Sequence, residues 1–267
     1  MKLTKQDAKA HQQAVELLKK ERLIEDERWF VLKHWQAGGQ HVNTLEAAYF
    51  TPVGLARDFS IEVGGGSVID LCAGIGTLAF CATRNWGPPR RIVCVDVNPD
   101  YVEVGRKILP DATWLCADVF KLPVLGRFRW AIANPPFGST GRNGARAPHY
   151  HGSRFEYHVI DIASTLADDG VFIIPQGSAP FRYSGRQQFE ALRLEDAPHY
   201  AEFQEATGIV LENNCGVDTS VHRLEWHDVS PEVEIVIADF AEARNRREKH
   251  TTADLFSGLT PSERSFA

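Results

Sequence analysis

The sequence predicts an α/β fold in which a mostly parallel sheet with an antiparallel edge carries helices on both faces. Three observations predict it. Continuous apolar runs of four to five residues alternate with helical segments, the pattern of strands covered on both sides. The last runs instead alternate apolar with polar residues, as antiparallel edge strands do. The 267 residues are 43% hydrophobic, and a chain of this size buries roughly three quarters of its extended surface. Residues 48–240 are expected to form the sheet domain, with an N-terminal helical extension at 1–47 and a polar tail at 241–267.

The elements follow in order. Residues 5–36 read as one amphipathic helix, because Ala14, Leu17, Ile24, Val31 and Trp35 fall on one face before Gly38-Gly39. Thr51 is placed as the N-cap of a second helix with Pro52 at its first position, running through Leu55, Ala56 and Phe59. Strands are expected at 67–71, 91–95, 113–116, 130–133 and 171–174, with helices at 77–84, 99–109, 154–168 and 186–194. A run at 207–213 or 220–227, then one at 232–239, would close the sheet as antiparallel strands. Beyond Phe240 little apolar content remains, so a frayed helix and loose end are expected.

Composition excludes several classes. A charged fraction of 24% without low-complexity stretches is not that of a disordered or fibrous chain. A net charge of -6 is a poor match for a protein that coats nucleic acid, although a local basic patch is compatible with it. The five cysteines (Cys72, Cys81, Cys94, Cys116 and Cys215) form no Cys-x-x-Cys and are odd in number. They argue against a disulfide scaffold or zinc site and for a reducing, cytoplasmic setting. The N-terminal segment lacks the apolar core of a signal peptide, and no run reaches the length of a membrane span.

Four segments carry the chemistry. Asp70-Leu71-Cys72-Ala73-Gly74-Ile75-Gly76 joins a strand to a helix through glycines that permit a tight turn and close ligand approach. Asp96 ends the second strand twenty residues past Gly76, where an acid accepts from both hydroxyls of a ribose. Asp118 ends the third strand, with Val119 after it. Asp70, Asp96 and Asp118 are thus expected to line one crevice at the carboxyl ends of the first three strands. The fourth strand runs into Asn134-Pro135-Pro136-Phe137. Two prolines make a stiff exit with free carbonyl acceptors. Asn134 and the Pro135 carbonyl suit a planar amino group, and Phe137 offers a flat face to its ring.

The chain resembles the class I S-adenosylmethionine-dependent methyltransferases, with their Rossmann-like sheet. Within them it is similar to amino-methyltransferases with an Asn-Pro-Pro-aromatic motif, among them N6-adenine methyltransferases of DNA and RNA and the glutamine methyltransferases of release factors. The resemblance covers about residues 48–240. It implies S-adenosyl-L-methionine as cofactor, held by Asp70, Cys72, Ala73, Gly74 and Gly76 on its methionine side. It also implies a ribose contact from Asp96, an adenine contact from Asp118, further cofactor contacts from Val97, Val119 and Asn134, and catalysis by Asn134, Pro135, Pro136 and Phe137. Tyr49-Phe50-Thr51-Pro52 resembles an element of DNA adenine methyltransferases that approaches the cofactor, which adds Tyr49, Thr51 and Pro52 to the cofactor-binding set and favours adenine over glutamine.

The expected activity is N6-adenine methylation of nucleic acid, DNA ahead of RNA. The alternatives are an RNA adenine or protein glutamine N-methyltransferase, and a non-catalytic subunit that keeps the fold to bind a partner. Residues 138–158 are the natural substrate loop, which four glycines would make flexible. Arg142, Arg146 and Arg154 there, with Arg182 and Arg186 after the fifth strand, are placed to meet phosphates or are solvated loop charges. His149, His151 and His158 lack a ligand set, and no metal is expected. The 27 residues after Phe240 fall short of the target-recognition region usual in related DNA enzymes, which points to minimal recognition, a partner or a target other than duplex DNA. Leu17, Ile24 and Val31 would either pack on the chain's own domain or form a homodimer or partner seam.

Overall fold

The computed structural model describes residues 5–36, 50–85, 91–139, 144–226 and 230–257, with side chains described through Glu248. Its strands are β1 (Val68–Leu71), β2 (Ile92–Asp96), β3 (Thr113–Cys116), β4 (Phe128–Ala133), β5 (Ala167–Pro175), β6 (Phe181–Arg182), β7 (Glu190–Ala191), β8 (Glu212–Asn213) and β9 (Val233–Asp239). Seven of them form one sheet in the order β3-β2-β1-β4-β5-β9-β8. Pairing is parallel from β3 to β5, and β9 runs antiparallel to both neighbours. This is the Rossmann-like arrangement of the class I methyltransferase fold. The strand order reverses between β1 and β4, which opens a crevice at their carboxyl ends.

The helices are α1 (Lys5–Leu18), α2 (Glu25–His34), α3 (Val53–Phe59), α4 (Thr77–Asn85), α5 (Pro99–Ile108), α6 (Phe155–Leu166), α7 (Pro198–Thr207) and α8 (Phe240–Ser257). Strand side chains alternate between two cores, as the period of two demands. Val68, Cys94, Ile132 and Val171 face Leu55, Phe59, Phe80, Tyr101 and Ile108 on one side. Ile69, Val93, Ala131 and Phe172 face Tyr157, Ile160, Phe203 and Phe240 on the other. Both faces are apolar because both are covered.

The predicted 5–36 helix is two helices. Residues 19–24 break it, and Glu27 accepts from the Ile24 backbone N–H at 3.1 Å to start α2. The break lets α1 fold back on α2, so Ala14, Leu23 and Val31 all reach the core while Ile24 is 66% exposed. A seam built from Leu17, Ile24 and Val31 is therefore not available, since Val31 is spent inside this chain. Pro52, not Thr51, precedes the first residue of α3, and the Thr51 side chain is used elsewhere.

A second correction falls at 186–194, expected as a helix. The chain there pairs Phe181–Arg182 with Glu190–Ala191 in a small ribbon, and Phe189 stacks on Phe181 with ring centroids 5.6 Å apart. That aromatic pair and the ladder displace the weak helical pattern. The helix instead comes later, as α7, with Pro198 in its first turn and Gly208 in the left-handed conformation (φ 66°) at its end. β5 begins four residues earlier than expected, at Ala167. Of the two candidate edge segments, 212–213 joins the sheet, whereas Thr219–His222 is a 3₁₀ turn. α8 starts docked, with Phe240 and Ala243 buried and Arg244 donating to the Ser164 and Ala167 carbonyls at 3.0 and 3.1 Å.

Candidate functional site

The register sets the site. Leu71 lies opposite Val95, Asp96 opposite Cys116, and Asp70 opposite Ile132. Extending each strand by its next residues brings the glycine turn, Asp96 and Asn134 to one edge of the sheet, on neighbouring strands about 4.8 Å apart.

The turn itself is a run of backbone special cases. Cys72, Gly74 and Gly76 all have positive φ (59°, 56° and 89°). Ala73 donates to the Val95 carbonyl at 2.8 Å, and Gly76 donates to the Ala73 carbonyl at 2.8 Å. A side chain at Gly76 would stand 2.9 Å from the Trp114 ring, so both its conformation and its space demand glycine. The same ring would meet a Cβ on Gly105 of α5 at 2.1 Å. Above the turn, Phe50 would meet a Gly74 Cβ at 3.3 Å and packs edge-on against Tyr101, 5.0 Å between centroids. Trp35 joins the pair at 5.7 Å from Phe50. Burial and the charges of Asp96, Asp70 and Asp118 push the Cys72 thiol well above its usual range, so it is no thiolate nucleophile.

The three predicted acids separate. Asp96 is at the edge: Gly74 donates to its Oδ2 at 2.7 Å and Asn98 to its Oδ1 at 2.9 Å. Asp118 caps the 3₁₀ turn Val119–Lys121, accepting from Phe120 at 3.0 Å, and remains half-buried at the end of β3. Asp70 does not line the crevice. It shares the parity of Val68, so its side chain enters the helical layer, fully buried, and accepts from the Ala79 backbone of α4 at 3.2 Å. Its Oδ1 has no hydrogen-bond partner among the described residues. Burial raises this carboxyl well above the usual range, with a smaller contribution from the Asp96 charge.

Asn134 donates from Nδ2 to Thr51 Oγ1 at 2.9 Å. Thr51 and Pro52 are buried beside the motif rather than serving only to start α3. Pro135 is buried, while Pro136 and Phe137 are half-buried. The motif's exit is fastened by a residue the sequence did not single out. Glu156, fully buried on α6, accepts from the Gly138 backbone through Oε2 at 2.9 Å and from Ser178 Oγ through Oε1 at 2.7 Å. Its only sequence signal is an acid in the first turn of a helix, which does not distinguish it from an ordinary solvent-facing cap.

The flexible substrate loop is corrected in its described part. Asp161 of α6 accepts from the backbone of His149 and Tyr150 at 2.7 and 2.8 Å and meets His149 Nδ1 at 2.7 Å. His158 Nδ1 accepts from Ala147 at 3.2 Å. Residues 147–150 are therefore pinned to the helix that also pins the motif. Two of the histidines thus have structural partners, and no cluster of potential metal ligands occurs among the described residues. Arg146 and Arg186 are exposed, Arg154 and Arg182 half-buried, and Val97 is exposed at the rim beside Asp96. Val119 is buried under its turn. Tyr49 and Arg142 lie outside the described residues.

No helix among the described residues is long and apolar enough to cross a membrane. No family model matches the chain, and no curated protein matches it. Solved structures do. A Listeria monocytogenes protein described as a class I S-adenosylmethionine-dependent methyltransferase superposes with a TM-score of 0.52 at 12% identity, over 83% of this chain and 69% of that one. The methyltransferase subunit of a type I restriction-modification system from Streptococcus thermophilus gives 0.49 at 13% identity, over 74% of this chain and 47% of that one. At such identities the likeness is one of fold.

Proposed function

We propose that the chain is an S-adenosylmethionine-dependent N6-adenine methyltransferase acting on nucleic acid, DNA ahead of RNA. The observation that carries this reading is the meeting of Asn134 with the glycine turn at the carboxyl ends of adjacent strands, with Asp96 tied to the same turn through Gly74.

The residues fit the cofactor. Gly74 and Gly76 supply the positive φ angles the turn needs, and the turn leads into the start of α4. Asp96, rotationally fixed by two backbone donors, is an acceptor pair suited to a ribose diol. Asp118 sits at the neighbouring strand end for an exocyclic amino group, and buried Asp70 has an unmatched oxygen under the turn. When bound, S-adenosylmethionine supplies a sulfonium methyl group that a nucleophilic nitrogen takes up.

The chain's own residues then do the positioning. Asn134 and the Pro135 carbonyl accept from the two N–H bonds of the target amino group, drawing its lone pair out of conjugation. Phe137 stacks on the ring that carries it. Holding nitrogen and methyl about 3–3.5 Å apart in line supplies most of the acceleration, and the acceptors stabilise positive charge as it grows on nitrogen. The proton leaves to water. An adenine inside a duplex must first leave the stack, at a cost of a few kcal/mol. The preference for DNA rests on the resemblance of residues 49–52 to an element of DNA adenine methyltransferases, whose Thr51 here accepts from Asn134.

Incubation with methyl-labelled cofactor and separate DNA, RNA and protein pools tests the reading. Label is expected in DNA, recovered as N6-methyladenine after digestion and mass analysis, and absent with Asn134→Ala. Label in protein alone overturns the nucleic-acid acceptor. Asp96→Ala is expected to weaken cofactor binding in a calorimetric titration while circular dichroism shows the fold retained.

A further inference from the structure

Past the carboxyl end of β5 lies a cavity of about 250 Å³ bordered by Gln176, Ser184, Arg186, Ser220, Arg223 and Glu232. It is smaller than the roughly 300 Å³ at which pockets begin to enclose a drug-sized molecule, so it suits one polar group of a larger ligand. Two guanidinium groups and the Glu232 carboxylate border it, while the Glu234 and Asp218 carboxylates behind the wall are each taken up by donors of Ser184, Gly185 and Ser220. Among the described residues, the Arg186 guanidinium makes neither a hydrogen bond nor an ion pair. Arg223 is steadied by Ser230 Oγ at 3.0 Å and only loosely paired with Glu232 at 3.4 Å, both side chains being more than half exposed. Such an exposed pair contributes little and yields readily to a better anion.

The cavity is fixed relative to Asn134 by two buried carboxylates. Glu234, fully buried on β9, accepts from Gln176 Nε2 at 2.7 Å, from the Tyr183 and Ser184 backbones at 2.9 Å each, and from Ser184 Oγ at 2.7 Å. Glu156 holds Ser178, in the same short turn as Gln176, and Gly138 at the motif's exit. Hydrogen bonds at both ends of the Gln176–Ser178 turn therefore tie the motif's exit and the cavity wall to one short piece of backbone. By strand spacing and rise, Gln176 stands roughly 11 Å from Asn134, about the reach from a base to the backbone that bears it.

We propose that this cavity binds a backbone phosphate of the nucleic-acid acceptor, gripped by Arg186 and Arg223 while the target base sits at Asn134. The inference rests on the acceptor class proposed above and adds where its backbone lies. The two arginines are the donors this cavity offers an oxyanion, because Gln176 Nε2 and the Ser184 hydroxyl are already spent on Glu234, and the same chemistry would also take free phosphate. Two arginines that converge on a phosphate bind it through charge-assisted hydrogen bonds.

The test uses the full chain and short labelled single-stranded DNA and RNA containing adenine, read by fluorescence anisotropy across a salt series. Arg186→Gln with Arg223→Gln is expected to weaken oligonucleotide binding about tenfold or more and to flatten its salt dependence by about 0.7 for each phosphate that is no longer neutralised. Lys9→Gln on α1 with Arg106→Gln on α5, both exposed, controls for net charge, and cofactor titration with thermal melting controls for folding. Inorganic phosphate should compete with the oligonucleotide in the wild type. If the arginine double variant loses no more affinity than Lys9→Gln with Arg106→Gln, the cavity is not the phosphate site although the nucleic-acid reading stands. If the wild type binds inorganic phosphate here but no oligonucleotide, the anion belongs to another kind of substrate and the proposal fails. If it binds neither, the acceptor reading and this site fall together.

Discussion

Asn134 Nδ2 lies 2.9 Å from Thr51 Oγ1, a hydrogen bond between residues 83 positions apart in the chain. It sets the rotation of the amide, so that Oδ1 is the end turned away from Thr51. Orientation of a reacting group is where such enzymes gain most, and a single hydrogen bond is worth about 1 kcal/mol.

Thr51→Val, which keeps the shape and removes the acceptor, is expected to lower methyl-transfer kcat by about five- to tenfold. The cofactor dissociation constant should move by less than twofold. An unchanged kcat would show that the amide needs no help from Thr51.

Glu156→Leu removes both acceptors, that of the Gly138 N–H and that of the Ser178 hydroxyl. Polar groups left unmatched in this way cost about 1–3 kcal/mol. Urea denaturation should show that loss, and kcat should fall with it because the motif's exit is no longer fixed. A variant as stable as the wild type would mean that the loop finds another acceptor.

His222 clamps α3 to the segment after β8. Its Nε2 is 2.7 Å from Asp58 and its Nδ1 is 2.8 Å from Glu225. Burial alone would lower its pKa, yet the two carboxylate acceptors outweigh burial and raise it above the usual value. The sign follows. A base held more tightly protonated in the folded state stabilises it below the unfolded pKa of about 6.5, and the contribution fades as pH rises through the folded value. Wild type should therefore exceed His222→Gln in stability most clearly near pH 5.5–6 and less at pH 8. A difference that is flat with pH would rule out the charged clamp.

Gly105→Ala is expected to destabilise by about 1–3 kcal/mol through overpacking, because the new Cβ meets Trp114 at 2.1 Å. This reverses the gain usually seen for Gly→Ala inside a helix. Adding Trp114→Phe should recover part of the loss in the same thermal melts.

Much of the sheet was legible because its strands are buried on both faces and so read as continuous apolar runs, as in Val68–Leu71 and Ile92–Asp96. The glycine turn and the Asn134 motif were legible because backbone geometry restricts the residues that fit. Asp70 was misplaced because a strand-end acid looks alike whether its parity sends it to the edge or into the helix layer. Residues 186–194 misled because the ladder to Phe181–Arg182 is a tertiary contact with no local signature. Glu156, Asp161 and Glu234 went unnoticed for a related reason. Each is a charged residue whose partners, backbone N–H groups and side chains alike, come from other segments, and nothing in its own neighbourhood announces that it is buried.

Trp114 also bears on how this fold varies through evolution. One indole occupies the room that side chains at both 76 and 105 would need. Among homologues, positions 76, 105 and 114 should change in concert: where a smaller ring or aliphatic group stands at 114, the glycine in α5 is released from its duty first. The one at 76, bound also by its dihedral angle, is released last or never.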